Sequence, residues 1–291
     1  MDEIRLASNS YIMRFSASDG VRLNGLFTSD AKRPKTCVIF IHGMGGGAFS
    51  HIALSLADNL PKNLALFSIN TRGQAAVSRF SRYVRGRRRS VMGGTCLERF
   101  EDSIFDIKGA IAALSRRGYR NFVLCGHSTG CQKVTYYQYK TKDRRVKGLV
   151  LVAPLDDYNM YRIMLGRVFA KAAAACAKMI KSGKGDQPAP RGGGFSAQRL
   201  DSIINPKRIE SRLFNYDTKL KEFGSIRTPI LAVLGDREEN VAKAVEEYLS
   251  ILESRTSSVR FSSLLVAGAG HSFDGKEREL ASNVYSWIED L

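Results

Sequence analysis

The sequence predicts an α/β protein: a mainly parallel sheet of about eight strands, flanked by helices and interrupted by one helical insertion. Three observations carry this. Short, nearly continuous apolar runs recur along the chain, the pattern of strands buried on both faces of a sheet. Segments with helical apolar spacing alternate with those runs. From Leu155 to about Arg227 the alternation stops, and no strand-like run is found. At 291 residues the chain can bury a core large enough for one such domain with an insertion, or for two domains.

The elements follow in order. "YIMRFSA" and "VRLNGLFT" flank Ser18-Asp19-Gly20, and the Asp-Gly pair supplies the turn of a β-hairpin. "TCVIFIH" (36–42) and "LALFSIN" (64–70) read as buried parallel strands, with the helical "AFSHIALSLADNL" between them. Phe100, Ile104, Ile107, Ile111 and Leu114 form one helical stripe, with Glu101, Asp102 and Lys108 off it. "NFVLCG" (121–126), "VKGLVLVAP" (146–154), "TPILAVLG" (228–235) and "VRFSSLLVAG" (259–268) complete the strands. Helical spacing then places Val241, Val245, Tyr248 and Leu252 on one face, and Leu280, Val284 and Trp287 on another. Such alternation implies right-handed crossovers. Residues 1–154 and 228–291 are therefore expected to form the core. Residues 155–227, with the Ala- and Lys-rich "YRIMLGRVFAKAAAACAKMIKS", form a helical cap placed where a lid would sit.

Composition excludes several classes. No apolar run approaches the ~18 to 20 residues that span a bilayer, so no integral membrane segment is expected. The start, "MDEIRLASNSYIMRF", is acidic first and lacks the apolar core of a signal peptide. Cys37, Cys96, Cys125, Cys131 and Cys176 are odd in number and include no CxxC pair. That argues against a disulfide framework or a zinc site, and for a reducing cytoplasm. Lys and Arg number 45 against 28 acids, a formal +17, which favours anionic partners.

Chemistry concentrates at the ends of the strands. Gly126-His127-Ser128-Thr129-Gly130 follows a buried strand and precedes a helical stretch, the context a strained nucleophilic serine needs. A serine nucleophile needs a general base, and the chain has four histidines. His42 and His127 belong to glycine-rich turns and His51 to the first helix, which leaves His271 in "VAGAGHSFDG" after the last strand. A carboxylate should orient that histidine. "ILAVLGDREEN" offers Glu238, with Asp236 and Glu239 as rivals. The glycines of "IHGMGGG" (41–47) let the backbone turn close to a substrate, and the backbone amides of Met44 and Thr129 are the expected oxyanion-hole donors. That loop lacks the Gly-Lys-Ser/Thr of a P-loop and the acid that follows a dinucleotide fingerprint.

With "IHGMGGG", "INTRG", "GHSTG", "GDRE" and "GAGHSF" in place, nearly the whole chain resembles the α/β-hydrolase superfamily of serine hydrolases and esterases. "GTCLERFEDSIFDIKGAI" and "GHSTGCQKVTYY" resemble a poorly characterised branch similar to fungal siderophore (hydroxamate ester) esterases. The resemblance implies the α/β-hydrolase fold and acyl transfer through an acyl-enzyme, with no metal and no cofactor. In that family the acid is usually Asp in Gly-x-x-Asp, and here Glu238 stands at that position.

The expected activity is therefore hydrolysis of carboxylic esters, lactones or thioesters. The expected partner is a small acyl ester, an anionic one if the net charge is a guide. A non-catalytic binding or receptor module on the same fold is the alternative. A third reading, a nucleic-acid-associated protein, rests on the charge and on "SRFSRYVRGRRRS" (78–90), read as an Arg-rich loop. Arg72 reads as a structural ion-pair residue. Asp156 and Asp157 fit either helix capping or the pocket. Tyr158 and Tyr161 are candidate substrate-binding aromatics.

Overall fold

The computed structural model describes residues 9–30 and 34–291. The acidic start of the chain lies outside them. Strands β1 (Ser10–Ser16) and β2 (Arg22–Thr28) pair antiparallel as a hairpin. Strands β3 (Thr36–Ile41) and β4 (Leu64–Ile69) follow, separated by α1 (His51–Asp58). The N-terminus of α1 is capped by Ser50, whose side chain accepts from the Ala53 amide.

A second hairpin, β5 (Ser78–Val84) and β6 (Arg87–Gly93), stands apart as its own two-stranded sheet. The basic segment expected to be a loop is this hairpin. Arg85 and Gly86 both take positive φ (49° and 75°), the conformation of the tight turn whose twist matches the strands it joins. Phe80 and Val91 face each other on the inner side, where Phe80 is buried, and Arg82 Nε donates to the Asp19 carbonyl at 2.9 Å. Arg79, Arg85, Arg87, Arg88 and Arg89 are exposed, and none of the five meets a carboxylate among the described residues.

Next come α2 (Ser103–Arg116), β7 (Asn121–His127), α3 (Thr129–Thr141) and β8 (Val146–Val152). After the insertion the chain returns through β9 (Ile230–Gly235), α9 (Val245–Arg255), β10 (Phe261–Val266) and α10 (Glu277–Glu289). The main sheet has eight strands in the order β1-β2-β4-β3-β7-β8-β9-β10. All neighbours from β4 to β10 pair in parallel; the β1–β2 and β2–β4 pairs are antiparallel, so β2 alone runs against the rest of the sheet. Every residue of β4 and β9 is buried, as strands covered by helices on both faces must be. The loops after β3, β7, β9 and β10 thus share one edge of the sheet.

Residues 155–227 hold α4 (Asp157–Leu165), α5 (Phe169–Lys181), α6 (Ala197–Ile204), α7 (Ile209–Leu213) and α8 (Lys221–Gly224). The segment divides into two kinds of packing. Ala172, Cys176, Phe195, Leu200 and Ile203 form a separate apolar cluster. Leu213, Phe214, Tyr216, Leu220 and Phe223 belong to the main core. The second half is therefore part of the body of the domain, and the first half is a layer laid over it.

Two buried ionic groups brace this frame. Arg72 reaches Asp106 at 2.8 Å, Asp19 at 3.0 Å and Asp102 at 3.3 Å, joining the first hairpin turn to α2. Behind α3, Lys133 Nζ lies 2.8 Å from Glu98 Oε2, and Arg199 Nη2 lies 3.5 Å from Glu98 Oε1. Arg199 also pairs with Glu210 and donates from Nε to the Thr95 carbonyl at 3.1 Å. Burial works against the Glu98 charge, but Lys133 and Arg199 outweigh it and hold the carboxyl below its usual range. Gly73 makes the room. A Cβ there would sit 2.1 Å from Glu98 Oε2.

Candidate active site

Ser128 sits at the sharp turn between β7 and α3 with φ 54° and ψ −125°, a strained conformation for any residue with a side chain. The flanking glycines permit the turn. A Cβ on Gly126 would lie 2.4 Å from the Gly130 backbone, and one on Gly130 would lie 2.2 Å from the Ile41 carbonyl oxygen. The turn is thus packed on itself at Gly126 and against β3 at Gly130, and neither position has room for a side chain without a shift of backbone. The Ser128 amide is held by the Val152 carbonyl at 2.9 Å.

A cleft of 570 Å³ opens in front of this turn. Its walls include Ser128, His271, Met44, Thr129 and Tyr161, with Leu155, Met160 and Met164 as apolar surface. Ser128, His271, Met44 and Thr129 therefore face one space, although they come from loops after β3, β7 and β10. Among the described residues neither the Met44 nor the Thr129 amide donates to a protein acceptor, so both are free to meet an oxygen in the cleft. No hydrogen bond joins Ser128 Oγ to His271 among the described residues; such bonds are often long without substrate.

The three rival acids separate cleanly. Glu238 Oε2 accepts from His271 Nδ1 at 2.9 Å. Glu239 Oε2 accepts from the His271 backbone amide at 3.0 Å, and Asp236 Oδ1 from the Gly268 amide at 2.7 Å. Only Glu238 reaches the imidazole. Asn240 holds the other Glu238 oxygen from its backbone amide at 3.0 Å. Burial works against the charges of both Glu238 and His271. Their mutual hydrogen bond and attraction outweigh it, lowering the Glu238 pKa and raising that of His271.

His127 supports His271 in a way the sequence did not reveal. Its Nε2 lies 2.9 Å from the His271 carbonyl oxygen, and the two rings are 5.0 Å apart. Burial first, and then the His271 charge, lower its pKa to about 4, so Nε2–H donates as a neutral imidazole. His42 is likewise structural. Its Nδ1–H donates to Gly43 O at 2.8 Å while Nε2 accepts from the Thr71 amide at 3.2 Å, which shapes the loop carrying Met44. His51 is exposed on α1.

Asp156 caps α4 by accepting from the Asn159 amide at 2.9 Å, whereas Asp157 lines the cleft. The two acids thus take one each of the roles open to them. Tyr161 lines the cleft, with its hydroxyl 3.8 Å from Met44 Sδ. Tyr158 does not; its ring packs edge-on against Phe169 at 5.7 Å. Three or more His, Cys, Asp or Glu side chains do not gather as a metal site among the described residues. All five cysteines are unpaired, and no described helix is long and apolar enough to cross a membrane.

A family model described as "Protein of unknown function (DUF1749)" matches residues 25–289. No curated protein matches the chain. Among solved structures, the chain is similar to carboxylesterase CesB of Bacillus subtilis, at 15% identity and TM-score 0.58, over 96% of this chain and 91% of that one. It is similar to Est1E of Butyrivibrio proteoclasticus, solved with ferulic acid, at 16% identity and TM-score 0.65, over 95% and 98%. It is also similar to a monoglyceride lipase of Saccharomyces cerevisiae bound to a substrate analogue, at 14% identity and TM-score 0.64, over 95% and 94%. These likenesses show the α/β-hydrolase fold.

Proposed function

Since the chain belongs to the DUF1749 family, whose description assigns no activity, we propose from the site itself that it is a serine hydrolase cleaving carboxylic esters. The observation that carries this reading is the strained Ser128 facing the same cleft as a His271–Glu238 pair bonded at 2.9 Å. Ser128 Oγ attacks the acyl carbon as His271 Nε2 takes its proton. Glu238 accepts from Nδ1–H, fixes the tautomer and stabilises the imidazolium. The Met44 and Thr129 amides hold the oxyanion, and the N-terminus of α3 adds its positive end. The proton then passes to the leaving alkoxide, and a water activated by His271 releases the acid.

A small acyl ester is the proposed substrate class, and the esterase and lipase neighbours support it. The first half of residues 155–227 is proposed to act as the cap over the acyl site, because α4 supplies Met160, Tyr161 and Met164 to the cleft. Five unpaired cysteines support a reducing compartment such as the cytoplasm.

A fluorophosphonate probe tests the reading. Labelling of the wild-type protein that disappears in Ser128→Ala is the expected result, and labelling that persists in the variant would refute it. A chain-length series of p-nitrophenyl esters then reads the acyl preference.

A further inference from the structure

Asp157 is the one carboxylate among the residues that line the Ser128 cleft. It is the first residue of α4 and is half-buried. Gln132 Nε2 donates to its Oδ2 at 2.8 Å and to the Leu155 carbonyl at 3.3 Å, which fixes both the amide and the carboxylate. Among the described residues the Asp157 carboxylate has no other hydrogen bond and no ion pair. The cations nearby are engaged elsewhere: Arg199 with Glu98 and Glu210, and His271 with Glu238. Glu210 and Asp156 act against ionisation of Asp157, and Arg199 and His271 favour it. Burial is the largest influence, and together these push its pKa up to about 7.

A carboxylate held in a cleft without a cation either takes up a proton, as its raised pKa allows, or keeps its charge by pairing with a cation that arrives. The positive end of α4 offsets part of the cost of the charge. Beside the acid, Met160, Tyr161 and Met164 offer an apolar surface for a hydrocarbon chain. A lone carboxylate in the cleft runs against the +17 of the whole chain, which pointed to anionic substrates.

The geometry points to Asp157 as an anchor for an ammonium group, so that the substrates of this site are acyl esters carrying a protonated amine on an aliphatic chain. The inference rests on the ester-hydrolase reading for its reaction. The anchor itself can be tested without turnover.

Two esters of equal length make the comparison: p-nitrophenyl ε-aminocaproate, and p-nitrophenyl heptanoate with a methyl in place of the ammonium. The wild-type protein should prefer the amine by about tenfold or more in kcat/KM, and Asp157→Asn should lose that preference. The wild-type preference should also grow as pH rises through about 7, where Asp157 ionises. An equal ratio of the two esters in both proteins would overturn the inference. Calorimetry with hexylamine on the Ser128→Ala protein separates this from the reaction. Binding should be present there and lost in Ser128→Ala/Asp157→Asn; equal binding by both would sink the anchor. If neither ester turns over, the hydrolase reading fails and the hexylamine titration alone decides on Asp157.

Discussion

Glu238 Oε2 lies 2.9 Å from His271 Nδ1, while Asp236, two residues earlier, spends its carboxylate on the Gly268 amide at 2.7 Å. Replacing the two acids singly should therefore give unequal results. Glu238→Gln keeps the shape but offers His271 an amide, and kcat should fall by about 10³- to 10⁴-fold. Asp236→Asn alters only a loop hydrogen bond, and activity should fall less than about tenfold. Steady-state kinetics on a p-nitrophenyl ester check both. A larger loss for Asp236→Asn than for Glu238→Gln would refute the assignment.

The same pair sets two opposite pH trends. Because the His271 pKa is raised, the neutral base that catalysis needs is formed only above the ordinary value of about 6.5. The acid limb of kcat/KM should lie above that value and move down in Glu238→Gln. Stability runs the other way. The raised His271 pKa contributes stability below the unfolded value and loses it as pH rises through the folded one. The depressed Glu238 pKa contributes above the unfolded value and loses it as pH falls through the folded one. Thermal melts of the wild type and Glu238→Gln should thus differ most at mildly acidic pH, where the proposed activity should be lowest.

His127 holds the backbone of His271 by a neutral hydrogen bond. His127→Phe keeps a ring of similar size and removes the donor. The rate should drop about ten- to a hundredfold through misplacement of the base. The acid limb should stay in place, since His127 does not titrate near neutrality. A pH–rate profile of the variant separates this positioning role from a second catalytic base, which would move the limb.

Gly130→Ala would place a Cβ 2.2 Å from the Ile41 carbonyl oxygen, so β3 and the elbow must part. A loss of about 1 to 3 kcal/mol is expected from urea unfolding, the range for forcing extra atoms into a packed site. Alanine at Gly183, whose φ is 74° but whose side faces open space, should cost less because no neighbour is displaced.

Much of the site was legible because each element ends in a distinctive turn. Ser128 lies between two glycines after an apolar run, and His271 was the one histidine left at a strand end. Which of three acids meets the imidazole was open, because spacing along a loop does not state where its backbone turns. The structure decides it through Arg237, whose amide donates to Ala269 O at 2.9 Å and lays the acid loop against the histidine loop. The β5–β6 hairpin was missed for a different reason. Arg79 and Arg82 surround buried Phe80 on one strand and Arg87, Arg88 and Arg89 run consecutively on the other, so the period of two is hidden by charge, although Arg85-Gly86 is a turn signal. His127 and Gln132 were unreadable as partners, because their contacts, His271 and Asp157, lie 144 and 25 residues away.

Gly73 has a consequence for how this architecture can be divided. By yielding its space to Glu98, it lets one carboxylate face both Lys133 from α3 and Arg199 from α6. Excising residues 155–227 would remove Arg199 and Glu210 together, leave the buried Lys133–Glu98 pair without its Arg199 contact, and strip Leu213, Phe214 and Phe223 from the core. Residues 155–227 are thus no detachable module: exchanging them for another segment would require carrying Gly73, Glu98 and Lys133 along, as a single heritable block.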